Sequence, residues 1–208
     1  MALKLYHSPR SRSVRVLWTL EELGLSYELV ETPFDRAFFK SPEWRAINPV
    51  GKTPVMVDGA ERLIESVAIA HYLAEKYGEG KLARRPVDPD YGRFLQFLHF
   101  GEAGMGGYGS MLIGQTRLLP ENQRNPALKA WAASELKTCC DFIESELQGR
   151  DFILGEDFSL ADISLGYALY VVALSGEAAD EILSARTKLY LNRLKERPAW
   201  KKAMAGRG

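Results

Sequence analysis

The sequence has few cysteines and no excess of charge of either sign. Its 208 residues include two cysteines, which are adjacent, at Cys139 and Cys140. Adjacent cysteines in a helical pattern are poor candidates for a structural disulfide, so we expect a reducing, cytoplasmic compartment. Lysine plus arginine and aspartate plus glutamate are equal at 27 each. Surfaces that bind nucleic acid or anionic membranes need a basic excess, so we expect neither kind of partner.

Long apolar runs and metal-ligand spacings are also missing. No apolar run approaches the ~20 residues that span a bilayer, and the N-terminus has no apolar signal segment. We therefore expect neither a membrane span nor a secretion signal. His7, His71 and His99 are scattered along the chain. Their spacing does not match a metal site, so we expect structural or surface histidines and no bound metal.

Short apolar segments alternate with helical patterns over residues 1–79. The strand patterns lie at residues 3–6, 27–31, 55–57 and 61–64. One helix follows the first strand and is expected to be capped by Ser11 or Ser13 and to end at Gly24. Asp58-Gly59 is a strong hairpin signal between the third and fourth strands. A further helix begins at Ser66, so the order predicts a mixed α/β unit of the thioredoxin type.

Strand signals vanish after residue 89. Gly80, Pro86 and Pro89 lie among charged residues, which is typical of a linker. Beyond it, helical periodicity marks residues 90–103, 126–147, 160–174 and 182–195. Residues 198–208 are expected to form a turn and a tail. We therefore predict a thioredoxin-like domain over 1–79, a linker over 80–89 and an all-helical domain over 90–208.

Two local signals mark the helical part. Ser159 and Asp162 fit an N-cap pair at a helix start, a purely structural motif. Residues 101–109 (GEAGMGGYG) are rich in glycine. Each glycine costs a helix about 1 kcal/mol relative to alanine, so we expect a bend or an interruption and an open or mobile wall. Close helix packing, which also needs small residues, is the alternative.

Residues 48–54 (NPVGKTP) and the helix start at Glu65-Ser66 are the most informative stretch. Ser66 is either a plain N-cap or a seat for a small carboxylate at the first helical amides. Thr53-Pro54 is a candidate cis peptide, which would leave the Thr53 backbone groups facing outward to pair with an extended peptide. Lys52 beside it is either a binding cation or a solvated side chain in an ordinary turn.

Three motifs, in this order, resemble the cytosolic glutathione transferase family, specifically its serine-type, bacterial-like members. They are residues 5–16 (LYHSPRSRSVRV), residues 48–69 with their Asn-Pro-x-Gly-Lys-x-Pro, Asp-Gly and Glu-Ser-x-Ala-Ile elements, and residues 158–163 (FSLADI). The resemblance covers nearly the whole chain. It implies a thioredoxin-like domain followed by an all-helical domain, a role in detoxification, and glutathione as co-substrate with no cofactor. It also implies a homodimer in which the N-terminal domain of one subunit packs against the helical domain of the other.

The resemblance also implies roles for individual residues. In serine-type families the catalytic hydroxyl follows the first strand in a Pro-x-Ser arrangement, which favours Ser11 over Ser13 or Arg12. Tyr6 is the alternative for a tyrosine-type enzyme. The implied glutathione contacts are Glu65 and Ser66 for the γ-glutamyl end, Thr53 beside Pro54 for the cysteine backbone, and Lys52 with Lys40 for the glycine carboxylate. The implied pocket for the second substrate is lined by Met105, Tyr108 and Met111.

Chemistry at a protein cysteine is disfavoured, because no cysteine follows the first strand and no Cys-x-x-Cys occurs. We therefore expect a transferase that activates glutathione as a thiolate and conjugates it to electrophilic, mostly hydrophobic small molecules. Two alternatives stay open. One is another glutathione-dependent enzyme on the same fold, such as a peroxidase, isomerase or dehalogenase. The other is a non-catalytic ligand-binding module, against which the intact glutathione-binding residues argue.

Overall fold

The structure is a computed structural model that describes residues 3–205. These residues divide into two compact units. The first unit comprises residues 3–83 together with 196–205, and the helical unit comprises residues 84–195.

The first unit contains a four-stranded sheet and five helices. Its strands are β1 Leu3–His7, β2 Tyr27–Glu31, β3 Val55–Asp58 and β4 Glu61–Leu63. Its helices are α1 Ser13–Leu23, α2 Arg36–Lys40, α3 Pro42–Ile47, α4 Ser66–Tyr77 and, at its C-terminal end, α11 Pro198–Ala205.

The sheet is mixed, with strand order β2-β1-β3-β4. Strand β1 runs parallel to β2 and antiparallel to β3, with Leu5 opposite both Leu29 and Met56. All three side chains are buried. Parallel strands need a crossover, and α1 supplies it between β1 and β2. This topology confirms the predicted thioredoxin-like arrangement.

Helix α1 is the core element of the first unit, because its residues from Ser13 to Leu20 are all buried. It packs against both α4 and α11. Gly24 ends it in the left-handed conformation (φ 65°), as the sequence predicts. A helix buried on nearly every side fixes its first turn firmly against β1, and the candidate site lies at that first turn.

The predicted turn and tail at residues 198–208 are wrong for the residues that the structure describes. Residues 198–205 form α11, and 206–208 lie outside the described part. Ala199, Trp200 and Ala203 are buried at helical spacing behind a proline at the first helical position. The Trp200 ring meets that of Trp18 edge-on at 4.8 Å. Helix α11 therefore belongs to the first unit, whereas we predicted that the helical domain extends to residue 208.

The helical unit is built from helices, as predicted. They are α5 Tyr91–His99, a π-helical segment Phe100–Gly104, α6 Gly106–Ile113, a second π-helical segment Gly114–Leu118, a short 3₁₀ turn Glu121–Gln123, α7 Pro126–Glu146, α8 Leu160–Ala173, α9 Glu177–Ile182 and α10 Ala185–Glu196. Among residues 3–205, no helix combines the length and the apolarity that crossing a membrane requires.

The start of α8 confirms the predicted N-cap pair. The carboxylate of Asp162 accepts hydrogen bonds from the Ser159 backbone N–H at 2.8 Å and from the Ser159 hydroxyl at 2.9 Å. It also accepts from the Ile153 N–H at 2.8 Å and the Tyr190 hydroxyl at 2.7 Å. Four donors satisfy a fully buried carboxylate, which ties α8 to α10 and to the loop before it.

The glycine-rich stretch interrupts the helix, as expected, through the π-helical segment Phe100–Gly104. Its wall is closely packed at Gly101. A Cβ at that residue would lie 2.5 Å from the Ser164 hydroxyl oxygen and 2.6 Å from the Ser164 carbonyl oxygen. The structure therefore supports the close-packing alternative here, because only glycine permits this approach to α8.

Both cysteines lie on α7 and are free. Burial raises the pKa of the Cys140 thiol to about 12, with further contributions from Cys139 and Asp141. Burial, followed by the charge of Glu135, also raises the pKa of the Cys139 thiol. Both thiols therefore stay protonated at neutral pH.

Asp58, at the end of β3, joins the sheet to α4. Its Oδ2 accepts hydrogen bonds from the Lys76 ammonium at 2.7 Å, the Tyr77 hydroxyl at 2.5 Å and the Tyr72 hydroxyl at 2.7 Å. The Asp58 side chain is 6% exposed. The hydrogen bonds from Lys76, Tyr77 and Tyr72 lower the pKa of Asp58 to about 2.

We predict that Asp58→Asn lowers the free energy of unfolding by about 1–3 kcal/mol above about pH 5. The folded pKa of Asp58 lies near 2, below the ordinary value of about 4 in an unfolded chain. Its contribution is therefore complete above the unfolded pKa and is lost as the pH falls through the folded pKa. The gap between wild type and variant should shrink between about pH 5 and pH 2 in urea denaturation.

The control is Asp141→Asn on α7, which removes an exposed ion pair with Lys137. Exposed pairs contribute roughly 0–1 kcal/mol, so this variant should stay close to wild type. A stability gap for Asp58→Asn that does not change with pH would contradict the assigned ionisation.

Candidate functional site

Five hydroxyl side chains meet where β1 ends and α1 begins. This hydroxyl cluster consists of Ser8, Ser11, Ser13, Thr32 and Thr53. The oxygen–oxygen distances are 2.7 Å for Ser11–Ser13, 2.8 Å for Ser8–Thr32, 3.2 Å for Ser8–Thr53 and 3.3 Å for Ser11–Thr53. The cluster thus joins residues 45 positions apart in the chain. It brings two predicted site residues, Ser11 and Thr53, within hydrogen-bond reach.

Ser13 is the interior member of the hydroxyl cluster. It is fully buried, and its hydroxyl contacts the His7 Nδ1 at 2.8 Å, the Ser8 N–H at 3.2 Å and the Ser8 carbonyl at 3.1 Å, besides Ser11. Ser11 is 6% exposed. Because every contact of Ser13 is inside the fold, the geometry favours Ser11 as the hydroxyl that meets a ligand.

The start of α1 differs in detail from the prediction. Its N-cap residue is Arg12, with φ −54° and ψ −19°, and this residue makes no side-chain cap hydrogen bond. The prediction that Ser11 or Ser13 is the cap residue is therefore wrong. The Ser11 hydroxyl nevertheless accepts the N–H of Ser13 at 3.2 Å, so it lies at the positive end of the helix. Arg12 itself is half-buried.

His7 lies behind the hydroxyl cluster and is buried. Burial lowers the pKa of its imidazole, and the charge of Glu31 opposes that shift. The ring is therefore neutral at neutral pH. The Thr32 N–H and hydroxyl both donate to the His7 carbonyl, at 2.7 Å and 3.1 Å, which fixes the backbone from which the ring projects.

The Thr53-Pro54 peptide bond is cis, as predicted. Pro54 is buried, whereas Lys52 is exposed. The Lys52 carbonyl accepts a hydrogen bond from the Asn48 side-chain amide at 2.7 Å, which anchors the loop before β3. Lys40 is exposed at the last position of α2. Both predicted lysines thus face solvent, where a carboxylate can reach them.

The start of α4 is not a plain serine cap. The N-cap residue is Glu65, at φ 70° and ψ 108°, and it makes no side-chain cap hydrogen bond. Such a backbone costs about 1–3 kcal/mol in a non-glycine residue and is concentrated at functional sites. The Ser66 hydroxyl accepts a hydrogen bond from the Arg15 guanidinium at 3.2 Å. The plain-cap interpretation of Ser66 is therefore wrong.

Arg15 is a buried neighbour of Ser66 that was not predicted from the sequence. It is 1% exposed and reaches from α1 to the first turn of α4. A buried cation beneath a helix N-terminus creates a strongly favourable environment for a carboxylate. The missed signal is an arginine inside the apolar run of α1, between Val14 and Val16, because arginine is almost never fully buried unless it has a partner.

The predicted second-substrate residues differ in exposure. Met105 is 1% exposed and is part of the core of the helical unit. Tyr108 and Met111 are half-buried, and the Tyr108 ring meets the Trp131 ring edge-on at 5.5 Å. The three residues therefore do not form one exposed surface.

A cleft of about 440 Å³ lies elsewhere in the helical unit. Its lining includes Gln115, Thr116, Arg124, Lys129 and Ser175. None of the predicted site residues lines it. Within residues 3–205, no group of three or more His, Cys, Asp or Glu side chains is placed to hold a metal ion.

Comparisons with known proteins match both units. Residues 1–75 match the family model for the glutathione S-transferase N-terminal domain, and residues 126–202 match the model for its C-terminal domain. Glutathione S-transferase 3 of Zea mays is 31% identical, covering 98% of this chain and 93% of its own length. The chain belongs to the glutathione S-transferase family.

Solved structures of glutathione transferases have the same fold. One from Phanerochaete chrysosporium, in complex with oxidized glutathione, has a TM-score of 0.84 and 27% identity over 98% of this chain and 94% of its own. A family member from Pseudomonas fluorescens, with two glutathione bound, has a TM-score of 0.86 and 25% identity over 98% and 92%. The predicted family and fold class are therefore confirmed.

The individual residue roles stay predictions, but the structure groups the residues. Ser11, Ser13 and Thr53 lie together in the hydroxyl cluster, and Ser66 lies with Arg15. Sequence reasoning missed His7, Ser8, Thr32 and Arg15 as neighbours of these residues. It assigned His7 only a structural or surface role. One sequence signal could have found His7 and Ser8: these two polar residues stand directly at the end of the apolar strand β1.

We predict that Ser13→Ala destabilises the protein more than Ser11→Ala does. Removing the Ser13 hydroxyl leaves the Ser8 N–H and the His7 Nδ1 without their partner inside the fold, at a cost of about 1–3 kcal/mol. The Ser11 hydroxyl is slightly more exposed, at 6%, and has three polar partners rather than four, so about 0.5–1.5 kcal/mol is expected. Urea denaturation followed by circular dichroism measures both; the reverse order would contradict the interior role of Ser13.

Proposed function

We propose that the protein is an active glutathione transferase. It binds glutathione in the first unit, stabilises the sulfur as a thiolate at Ser11, and conjugates it to electrophilic, mostly hydrophobic small molecules. The observation that carries the proposal is the 3.3 Å distance between the hydroxyl oxygens of Ser11 and Thr53. Ser11, the proposed hydrogen-bond donor to the glutathione sulfur, thus lies beside Thr53, which we propose pairs with the cysteine backbone of the same glutathione.

The energy that thiolate formation needs matches what this site offers. A free thiol has a pKa of about 8.5, and lowering it by about 2 units takes about 2.7 kcal/mol. A hydrogen bond to a charged group contributes about 1.5–3 kcal/mol, and a helix N-terminus about 0.3–1 kcal/mol more. The Ser11 hydroxyl at the start of α1 supplies both. A separate general base is therefore unnecessary.

The two carboxylate ends of glutathione would contact different parts of the first unit. The γ-glutamyl end fits the first turn of α4, where Ser66, the amides of the helix and the buried Arg15 charge come together. The Glu65 carboxylate is exposed beside it and suits the γ-glutamyl ammonium. The glycine carboxylate would meet Lys52 and Lys40.

In the conjugation step the protein positions the thiolate and the electrophile, and no side chain forms a covalent bond or transfers a proton. The thiolate sulfur donates an electron pair to the electrophilic carbon, a carbon–sulfur bond forms, and the leaving group departs with its bonding electrons. Ser11 keeps its proton throughout, because it only hydrogen-bonds to the sulfur.

For the second substrate we propose Tyr108 and Met111 as contacts. Met105 is buried in the helical unit, where a substrate does not reach it.

We also propose a cytoplasmic homodimer. One observation supports self-association: Trp131 and Leu128, three residues apart on α7, are 49% and 39% exposed. Neighbouring exposed apolar side chains mark interaction sites more often than single ones do. Sedimentation equilibrium should give twice the chain mass of 23.3 kDa. A monomer mass at micromolar concentration would contradict the dimer.

Ser11→Ala should raise the pKa of the bound glutathione thiol by about 1–2 units, because it removes the hydrogen bond to the anion. Thiolate absorbance in the ultraviolet, measured across pH at saturating glutathione, reports this pKa directly. The control is Ser145→Ala, an exposed serine of α7 whose hydroxyl bonds only its own helix.

The outcomes separate the steps of the proposal. An unchanged thiol pKa in Ser11→Ala would show that the assignment of Ser11 is wrong. Binding of glutathione by the wild type without a thiolate signal would contradict activation, and absence of binding would contradict the whole proposal. Turnover of a hydroperoxide far above that of chlorodinitrobenzene would replace conjugation with peroxide reduction.

A further inference from the structure

The direction of the hydrogen bonds in the hydroxyl cluster depends on Ser13. A serine hydroxyl has one proton to donate and two lone pairs that accept. Ser13 has four polar neighbours: the Ser8 N–H, the Ser8 carbonyl, the His7 Nδ1 and the Ser11 hydroxyl. The Ser8 N–H can only donate, so it occupies one lone pair of Ser13. One lone pair and one proton remain for the other neighbours.

The tautomer of His7 determines the use of that second lone pair. With its proton on Nδ1, His7 donates to Ser13 and fills the lone pair. Ser13 then cannot accept from Ser11, and the Ser11 proton must point elsewhere. With its proton on Nε2, His7 instead accepts the proton of Ser13. The second lone pair of Ser13 is then open, and Ser11 can direct its proton inward, away from any ligand.

We propose that His7 is a positioning residue whose Nδ1–H donates to Ser13 and thereby directs the Ser11 proton toward the glutathione sulfur. The inference rests on the proposed function, because it assumes that Ser11 binds the sulfur. His7 touches neither the sulfur nor the substrate. It acts through the chain His7–Ser13–Ser11, whose two links are 2.8 Å and 2.7 Å long.

The surroundings of His7 suit this role. The ring is buried and neutral, since burial lowers the pKa of its imidazole, so the two neutral tautomers are the relevant states. The charged group that acts on it is Glu31 of β2, its register partner in the sheet. The ring contacts the uncharged Ser13 of α1, and the uncharged Thr32 donates to the His7 backbone carbonyl. Ser11 retains an alternative acceptor in Thr53 at 3.3 Å when glutathione is absent.

The first experiment compares His7→Leu with His7→Asn. Leucine removes the donor, whereas the side-chain amide of asparagine places an N–H close to the position of Nδ1. We expect the pKa of bound glutathione to rise by about half a unit to one unit in His7→Leu and to stay near wild type in His7→Asn. The matched control is His99→Leu, an exposed histidine at the end of α5, which should have no effect.

A double-variant test asks whether His7 acts through Ser13. In a Ser13→Ala background the chain is already broken, so adding His7→Leu should raise the thiol pKa no further. Additive effects of the two substitutions would overturn the proposed path. A merely structural role of His7 predicts loss of stability but no such dependence on Ser13.

The tautomer can be measured without disturbing His7. The variant His71→Gln/His99→Gln keeps His7 as the only histidine of the chain. Nitrogen chemical shifts of its ring at neutral pH should show a protonated Nδ1; a protonated Nε2 would overturn the inference. This measurement decides even if His7→Leu fails to fold.

The outcomes also separate the inference from the proposed function. If Ser11→Ala raises the thiol pKa and His7→Leu does not, the inference is wrong and the proposed function stands. If Ser11→Ala has no effect, the proposed function fails first. If His7→Asn behaves like His7→Leu, donation from Nδ1 is not what directs Ser11.

Discussion

The number of hydrogen bonds that one buried hydroxyl can make constrains the whole candidate site. Ser13 has one proton and two lone pairs, yet four polar neighbours surround it inside the fold. Ser8 and Ser13 are fully buried and His7 is 1% exposed, so this arrangement lies in the interior of the first unit. If His7 directs the Ser11 proton as proposed, a ligand that meets Ser11 finds a hydroxyl already oriented by the interior hydrogen bonds. Preorganised donors of this kind need little rearrangement when charge appears in front of them.

Helix α1 connects the two halves of the proposed glutathione site. Ser11 precedes its N-cap residue, Ser13 opens its first turn, and two residues further on Arg15 reaches the start of α4. The helix is buried from Ser13 to Leu20, so Ser13 and Arg15 are both held in the core of the first unit. The left-handed backbone of Glu65 fits the same logic, because a strained conformation persists only where its surroundings hold it. The sheet and α4 are joined separately through Asp58.

The parts of the fold that were predictable from the sequence carry their signals locally. Gly24, the Asp58-Gly59 turn, the Ser159–Asp162 pair and the cis bond before Pro54 each depend on neighbouring residues. Helix α2 was not predicted, although Asp35 caps it. The Asp35 carboxylate accepts a hydrogen bond from the Phe38 N–H at 2.7 Å. A five-residue helix offers too little periodicity to detect.

The contacts that the sequence could not predict are long-range. The Ser66 hydroxyl accepts a hydrogen bond from Arg15, which lies 51 positions earlier in the chain. Rules for helix capping consider only neighbouring residues and do not predict this contact. The placement of α11 depends on the packing of the Trp200 ring against the Trp18 ring of the first unit. The same holds at Ser11 and Thr53, which meet only because β1 and β3 are adjacent strands. Residue types suggested the candidates, and only the fold could group them.

The protonated thiols of α7 have a consequence for a protein proposed to handle electrophiles. Reactive carbon compounds modify thiolates, not thiols, so a low-pKa cysteine near such compounds would be alkylated and lost. Cys140, with its pKa near 12, and the half-buried Cys139 offer no such target. The sulfur of the bound tripeptide would then be the one strong sulfur nucleophile present. If the proposed function holds, neither cysteine of α7 would compete with glutathione for the electrophile.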